Sequence, residues 1–264
     1  MTQYVTSADG TRIAHELLGD GAPVILVGGM FCHRPATAAL AAALAGRFTV
    51  LHYDRRGRGE SGGGMAGADA VEREVEDLAA LIEVLGGRAA VYGHSSGAGL
   101  AVHAAAAGLA VDRLVLHEPP WGDDDPGSVA DAVALDAEIR TALAEDRPGD
   151  AIARFMAGAG LADDVVGQLR EDPDMLAVAP TMGYDLAVMG DADGGTVPGD
   201  LVRAVGVPTL VLAGSESPEF FRSTAASVAG LLPSGELMVL DGVDHGAPAE
   251  AVAPTVAAFL DRPR

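Results

Sequence analysis

The first 120 residues alternate between apolar segments and amphipathic segments. The apolar segments that end in turn residues predict strands at 3–7, 11–18, 23–27, 48–53, 89–92 and 114–116. The amphipathic or Ala-rich segments between them predict helices near 35–46, 70–85 and 96–107. Asp69, with Glu72 three residues on, is predicted to cap the second of these helices. Strands that alternate with helices in this way predict an α/β fold, with a mostly parallel central sheet and helices on both faces.

The alternation stops after Pro119 and Pro120. About 85 residues of turn-interrupted sequence follow. We interpret them as mainly helical, because a long structureless loop is uncommon in a compact domain. The earlier pattern then resumes with strands at 207–212 and 236–240 and helices near 219–231 and 248–260. We therefore predict an α/β core domain, 1–120 and 204–264. A helical cap, 121–203, would be inserted over the sheet edge where ligands bind.

Composition narrows the classes of protein to consider. Hydrophobic residues make up 49% of the 264 residues, enough for a substantial core, and the formal net charge is −21. Such a charge repels phosphate backbones and anionic lipids, so we expect a small-molecule substrate and neither nucleic acid nor membrane as a partner. The sequence is compatible with a monomer or a homodimer. Without a signal-like N-terminus or a membrane-length apolar run, the expected location is cytoplasmic.

The single cysteine, Cys32, allows neither an intramolecular disulfide nor a cysteine-based zinc site. We predict that it lines the pocket or packs in the core. The aspartates at 123–125 and 191–193 are interpreted as loops rather than metal sites. We therefore predict no metal and no cofactor.

Gly93-His94-Ser95-Ser96-Gly97 lies between a predicted strand and a predicted helix. This is the context that the G-x-S-x-G motif requires, because its glycines allow a sharp turn that exposes the serine hydroxyl above the strand ends. We predict that Ser95 is a nucleophile, the alternative being an ordinary tight turn. His94 is expected to pack beside this turn or line the pocket.

His245 follows the last predicted strand, in Asp244-His245-Gly246. A loop at that end of the sheet places it on the same side as Ser95. A histidine there can accept the serine proton and return it to the leaving group. The alternative is a surface histidine without a catalytic role.

Gly28-Gly29-Met30 follows the strand at 23–27. In this geometry the backbone N–H groups of Met30 and Ser96 are predicted to form an oxyanion hole. Loss of one side-chain donor of this kind typically costs about 3 kcal/mol of transition-state stabilisation. The alternative is a simple glycine turn.

These features together resemble the α/β-hydrolase superfamily over essentially the whole chain. Residues 53–61, Tyr-Asp-Arg-Arg-Gly-Arg-Gly-Glu-Ser, resemble its D-x-R-G-x-G-x-S turn, to which we assign a scaffolding role. Gly28-Gly29 replaces the usual His-Gly pair. The segments 92–97 and 116–120 resemble a group of bacterial hydrolases with little-specified substrates.

The resemblance implies an acidic partner for the histidine, but the usual position departs from the pattern. An aspartate is expected in a turn after the strand at 207–213, and Ser217 stands there instead. We favour Glu118, at the end of the strand after the nucleophile helix. One branch of haloalkane dehalogenases is similar in placing a glutamate there. Glu216, Asp244 and no functional acid remain as alternatives.

Methionine and aromatic residues on loops or cap segments predict an apolar, adaptable pocket. The candidates are Met30, Phe31, His94, Trp121, Phe155, Met156, Met182, Tyr184 and Met189. Each of them could equally pack the cap onto the core.

The favoured function is a serine hydrolase that cleaves a small or medium apolar ester, thioester or lactone through an acyl-enzyme. A second hypothesis is a lyase, cofactor-free oxygenase or biosynthetic cyclase of the same fold that uses His245 as a base. A third is a non-catalytic ligand-binding protein, against which an intact serine–histidine pair argues.

Overall fold

A computed structural model describes residues 1–263. Its eight strands are β1 Gln3–Thr6, β2 Arg12–Leu18, β3 Ala22–Val27, β4 Phe48–Tyr53, β5 Ala89–His94, β6 Val111–His117, β7 Thr209–Gly214 and β8 Gly235–Leu240. They form one sheet in the order β1-β2-β4-β3-β5-β6-β7-β8. The pairs β1–β2 and β2–β4 are antiparallel, and every other neighbouring pair is parallel. The predicted α/β fold is confirmed.

Helices cover both faces of this sheet. They are α1 Arg34–Leu44, α2 Ala70–Val84, α3 Ser96–Ala106, α4 Pro126–Ala144, α5 Pro148–Gly158, α6 Asp163–Leu169, α7 Pro173–Val178, α8 Met182–Met189, α9 Gly199–Arg203, α10 Glu219–Leu231 and α11 Ala249–Leu260. Helices α1 and α11 share one buried apolar layer with the sheet. Helices α2, α3 and α10 share the layer on the other face. The apolar central strands are therefore covered on both sides, as parallel strands require.

The predicted cap of α2 is wrong in its chemistry. Asp69 occupies the N-cap position, but its side chain makes no capping hydrogen bond. Its carboxylate instead accepts from Arg73 Nε at 2.8 Å, one turn along the helix. An ion pair with a guanidinium thus takes the place of the predicted bond to a backbone N–H. Glu72, the other residue of the predicted cap, lies in the first turn of the helix.

Helices α4 to α9 lie between β6 and β7, where the sequence predicts a helical insertion. They contain an apolar cluster of their own, which includes Ile139, Ile152 and Leu186. Trp121, although within the predicted cap boundaries, packs in the apolar layer of α2 and α3. The division into a core domain and a cap domain stays a prediction.

Candidate active site

Ser95 lies in a strained turn between β5 and α3. Its backbone has φ 54° and ψ −125°, a conformation that residues with a side chain rarely adopt. Two glycines make the turn possible: a Cβ on Gly93 would lie 2.3 Å from Gly97 O, and one on Gly97 would lie 2.4 Å from Val27 O. The half-buried hydroxyl is thereby held at the N-terminus of α3, where backbone N–H groups favour negative charge.

His245 and Glu118 are in direct contact at the same edge of the sheet. His245 Nδ1 lies 2.5 Å from Glu118 Oε2. Glu118 follows β6 and is fully buried, with a positive φ of 49° that turns the chain at the strand end. Because Nδ1 faces the carboxylate, Nε2 is the ring nitrogen that remains to share a proton with a hydroxyl.

The other oxygen of Glu118 is also engaged. Oε1 accepts hydrogen bonds from Gly214 N at 2.7 Å and from Ser217 Oγ at 2.5 Å. Burial alone would raise the pKa of Glu118, but the hydrogen bonds from His245, Gly214 and Ser217 together hold that pKa well below its usual value. The carboxylate is therefore ionised at neutral pH. Ser217, at the position where the resemblance implies an aspartate, is a donor to this acid.

The two rival carboxylates have other surroundings. Asp244 Oδ1 accepts from Gly246 N at 2.9 Å and so closes the turn that carries His245. Glu216 is contacted by the hydroxyl of Ser215. Glu118 is thus the carboxylate whose contact with His245 suits the role of its acid partner.

The imidazole of His245 packs against two other rings. Its centroid is 4.5 Å from that of His94 and 4.3 Å from that of Phe221, whose ring is stacked nearly parallel to it at 13°. His94 Nε2 donates to the backbone carbonyl of His245 at 3.0 Å. Burial lowers the pKa of His94 well below its usual value, so this ring is neutral. His94 thus packs beside the turn, as predicted, and holds the loop of His245.

Phe221 was missed by sequence reasoning. The signal was its place in α10, immediately after the turn in which the acid partner was sought.

Within residues 1–263, the hydroxyl of Ser95 makes no hydrogen bond to His245, whose ring bonds to Glu118 instead. Catalytic hydrogen bonds of this kind commonly shorten only when substrate binds. The strand order places β5, β6, β7 and β8 side by side and parallel, so the residues that follow them meet at one edge. Ser95, Glu118 and His245 all follow strands of this set.

The Gly28-Gly29 turn lies directly beside the serine. A Cβ on Gly29 would be 3.0 Å from Ser95 Cβ and 3.6 Å from its Oγ, so a side chain larger than glycine would crowd the nucleophile. Met30 follows in a turn closed by a hydrogen bond from Cys32 N to Gly29 O at 3.2 Å. Ser96 begins α3, where the first N–H groups lack partners within the helix. Ser96 is therefore adjacent to Ser95, and Met30 follows the glycine that lies against it; their role as oxyanion donors stays a prediction.

The turn after β4, for which a scaffolding role is predicted, carries buried arginines. Arg55 and Arg58 are almost completely buried and both bind Asp185 of α8. Arg58 also donates to the carbonyls of Gly29 and Cys32, at 2.8 and 3.1 Å. Sequence reasoning gave this segment a scaffolding role but missed Asp185, the partner of both arginines. The available signal was the presence of three arginines within four residues after a predicted strand. So many charges at a strand end indicate that acidic partners lie nearby.

The predicted pocket residues fall into two groups. Most of them belong to or pack against the apolar cluster of the inserted helices: Met30, Phe31, Phe155, Met156, Met182 and Met189. Phe31 and Phe155 contact edge to face, with centroids 5.8 Å apart. Through these contacts the turn at 28–31 packs against the inserted helices.

Trp121 and Tyr184 are placed differently. Trp121 is buried in the core layer, and it borders a cavity of about 540 Å³ together with Leu135 and Phe220. Tyr184 is buried beside Arg56, whose charge opposes the rise that burial imposes on the pKa of the phenol. Tyr184 thus faces the turn after β4, and its role in a substrate pocket stays a prediction.

A second cavity, of about 420 Å³, borders the imidazole of His245. Its lining includes Cys32, Leu40, His94 and His117. Burial raises the pKa of the Cys32 thiol. The thiol form is therefore favoured, which fits the predicted lining role rather than a reactive one.

No group of three or more histidine, cysteine, aspartate or glutamate side chains in the described part of the chain could hold a metal ion. None of the helices formed by residues 1–263 has the length and apolar character needed to cross a bilayer.

Comparisons with known proteins agree with this fold. The model of the alpha/beta hydrolase family matches residues 15–258. An alpha/beta hydrolase from Sphaerobacter thermophilus is 43% identical, with 98% of this chain and 100% of that chain covered and a TM-score of 0.86. A thermophilic esterase from Thermogutta terrifontis is 25% identical, with 98% of each chain covered and a TM-score of 0.74.

An enol-lactonase from Burkholderia xenovorans, 23% identical with 98% of this chain and 100% of that chain covered and a TM-score of 0.70, shares the fold. No protein with a curated function matches the chain. The family match over nearly the whole length and the 43% identical structure lead to one conclusion: the chain belongs to the alpha/beta hydrolase family.

Proposed function

We propose that this protein is a serine hydrolase that cleaves a small or medium apolar ester, thioester or lactone through an acyl-enzyme. The contact between His245 and the buried, ionised Glu118 is the observation that carries the proposal. An imidazole whose Nδ1–H donates to a carboxylate is oriented to use Nε2 as a base. Ser95, in a strained turn at the same sheet edge, is the hydroxyl such a base would activate.

In the acylation step, Ser95 Oγ attacks the acyl carbon while its proton passes to His245 Nε2. The N–H groups of Met30 and Ser96 bind the oxyanion that forms. The charge of Glu118 stabilises the imidazolium that results. His245 then returns the proton to the leaving alcohol or thiol as the bond between carbonyl carbon and leaving group breaks.

In the deacylation step, His245 takes a proton from water, and the hydroxide attacks the acyl-enzyme. The same two N–H groups bind the second oxyanion. The bond to Ser95 Oγ breaks as His245 returns the proton to the serine, and the carboxylic acid leaves. The products are one acid and one alcohol or thiol; a lactone yields a single hydroxy acid.

Three features support this class of substrate. Ester chemistry is favoured by the likeness to the esterase from Thermogutta terrifontis. Small or medium size is favoured by the cavity of about 420 Å³ that borders His245, because this volume lies in the lower part of the range typical of ligand pockets. The methionine and phenylalanine side chains in and beside the turn at 28–31 favour an apolar acyl group.

Hydrolysis of p-nitrophenyl acetate, butyrate and octanoate by the wild type and by Ser95→Ala tests the proposal. We expect turnover by the wild type and a loss of kcat on the order of 10⁶-fold in the variant, as when a nucleophilic serine is removed elsewhere. Ser234→Ala, at an exposed serine before β8 and so at the opposite end of the parallel strands, is the matched control and should retain turnover. Equal rates for Ser95→Ala and the wild type would refute the serine mechanism.

A further inference from the structure

The peptide bond between Gly29 and Met30 is held from its carbonyl side. Gly29 O accepts hydrogen bonds from Arg58 Nη1 at 2.8 Å and from Cys32 N at 3.2 Å. A trans peptide is planar, so the N–H of Met30 points away from that carbonyl oxygen. Whatever fixes the carbonyl therefore also fixes the direction of the N–H group that is proposed to bind the oxyanion.

This turn needs an anchor from outside. Phe31 has φ 60°, which is unusual for a residue with a bulky side chain. Two arginines of the turn after β4 bind the segment at 28–32. Arg58 also donates to Cys32 O at 3.1 Å, and Arg55 donates to Gly28 O at 3.3 Å. Three carbonyls of one short segment are thus bound by two guanidinium groups.

The guanidinium of Arg58 is itself held in place. It donates to Thr181 Oγ1 at 3.0 Å and to one oxygen of Asp185. The other Asp185 oxygen accepts from Arg55 Nη1 and from Ser96 Oγ, both at 2.6 Å. Asp185 is therefore linked to both predicted oxyanion donors, to Met30 through Arg58 and to Ser96 through the hydroxyl.

Charge and burial favour a rigid arrangement. Arg55, Arg58, Glu74 and Asp185 are all almost completely buried, and the two positive and two negative charges balance. Burial alone would raise the pKa of Asp185, but the adjacent guanidinium groups hold it below its usual value. A paired, hydrogen-bonded cluster of this kind has few alternative arrangements in a low dielectric.

We propose that Arg58 is a positioning residue for the oxyanion hole. It orients the Gly29–Met30 peptide so that the Met30 N–H points at the developing oxyanion, and its positive charge polarises that peptide into a better donor. Asp185, from the inserted helix α8, keeps Arg58 in this orientation. The inference rests on the proposed serine hydrolase function, since it assigns the support for one of that mechanism's two donors.

Arg56 offers a matched control. It belongs to the same turn and is equally buried, but its guanidinium pairs with Asp77 and Asp9, on the side of α2. It also donates to Arg73 O at 3.1 Å. Loss of either guanidinium should therefore destabilise the fold, but only the loss of Arg58 should reach the oxyanion hole.

The test compares Arg58→Met, Arg58→Lys and Arg56→Met with the wild type. Three quantities are measured: kcat and KM for p-nitrophenyl butyrate, the rate constant for inactivation by diethyl p-nitrophenyl phosphate, and the thermal midpoint. For Arg58→Met we expect kcat and the inactivation rate to fall together by roughly 10- to 100-fold, below the roughly 10²- to 10³-fold loss for removal of a donor itself, with KM little changed. Arg58→Lys, which keeps the charge but not the planar fork, should recover part of this loss.

Arg56→Met should lower the thermal midpoint but keep kcat within about threefold of the wild type. If Arg58→Met does not fold, Arg58→Lys carries the test, with a fall in kcat and in the inactivation rate as the expected result. The inference is overturned if the folded Arg58 variants keep wild-type kcat and inactivation rates, or if Arg56→Met loses as much kcat as Arg58→Met. A wild type that neither turns over the ester nor reacts with the phosphate ester would refute the proposed function itself, and a positioning role in catalysis with it.

Discussion

The two halves of the candidate site are built from different parts of the molecule. The base half consists of Glu118 and the two residues bonded to it, His245 and Ser217, all of which follow strands of the sheet. The oxyanion half consists of the turns after β3 and β4 together with the start of α3. Its buried charges are completed by Asp185, which belongs to the inserted helices.

This difference has a consequence for what each half depends on. The base half is complete within the residues that flank the sheet, so a change in the inserted helices leaves its hydrogen bonds intact. The oxyanion half takes one of its two buried carboxylates from α8. Under the proposed mechanism, we therefore expect changes in the inserted segment to affect transition-state stabilisation and to leave the proton transfer unchanged.

The largest expected effect lies in the base half. Glu118→Gln keeps the size of the side chain but removes the charge that stabilises the imidazolium and selects its tautomer. We expect kcat for p-nitrophenyl butyrate to fall by about 10³- to 10⁴-fold. Glu216→Gln is the matched control and should keep wild-type kcat. A larger loss of kcat from Glu216→Gln than from Glu118→Gln would contradict the assignment of the acid role to Glu118.

An intermediate effect is expected where the oxyanion half meets the inserted helices. Asp185→Asn leaves Arg55 and Arg58 without their shared charge partner, so kcat should fall by about 10- to 100-fold. Because a buried ion pair is broken, the free energy of unfolding should drop by about 3 kcal/mol. Steady-state kinetics and urea unfolding measure the two quantities.

Asp77→Asn breaks the comparable buried pair with Arg56 and serves as the control. It should cost similar stability but leave kcat close to that of the wild type. An equal loss of kcat in both aspartate variants would mean that the two halves differ in composition only, not in function.

The smallest effect on activity is expected at Asp191, which belongs to neither half. Burial, with the nearby charge of Asp136, raises the pKa of Asp191 from its usual 3.8 to about 7. The folded state therefore binds more protons than the unfolded state between these two values, and this group's contribution makes the protein less stable as the pH rises from about 4 to 7.

Asp191→Asn removes that penalty. We expect the variant to exceed the wild type in unfolding free energy at pH 8, by on the order of 1 kcal/mol, with a smaller advantage at pH 5 and an unchanged kcat. Urea unfolding at the two pH values measures the difference. An advantage that is the same at both pH values would show that Asp191 does not titrate in this range.

The fold and the base half could be predicted because their signals are local. The G-x-S-x-G turn, the histidine after the last strand and the glutamate after β6 each stand in a readable context of strand and loop, and parallel strand ends meet at one edge. Glu118 was preferred because it stands at the end of the strand after the nucleophile helix, where the longer glutamate side chain suits the reach to the histidine, and the structure has it bonded to His245.

The support of the oxyanion half could not be predicted in the same way. Ser96 and Asp185 are 89 positions apart, and nothing near either residue indicates the other. Gly28, which stands in place of the usual histidine, is compatible with a backbone turn but does not indicate which side chains hold that turn in place. Side-chain packing decides the rest: Phe221 stacks on His245, and Trp121 is buried in the core layer instead of among the inserted helices.

The most direct measurement of the central claim is a crystal structure of the enzyme after reaction with diethyl p-nitrophenyl phosphate. The account predicts a phosphorus atom bonded to Ser95 Oγ, with one phosphoryl oxygen at about 2.7–3.1 Å from the N–H groups of both Met30 and Ser96. His245 Nε2 would lie beside the Ser95 oxygen, with Nδ1 still bonded to Glu118. An adduct on another residue, or a phosphoryl oxygen turned away from both N–H groups, would contradict the account.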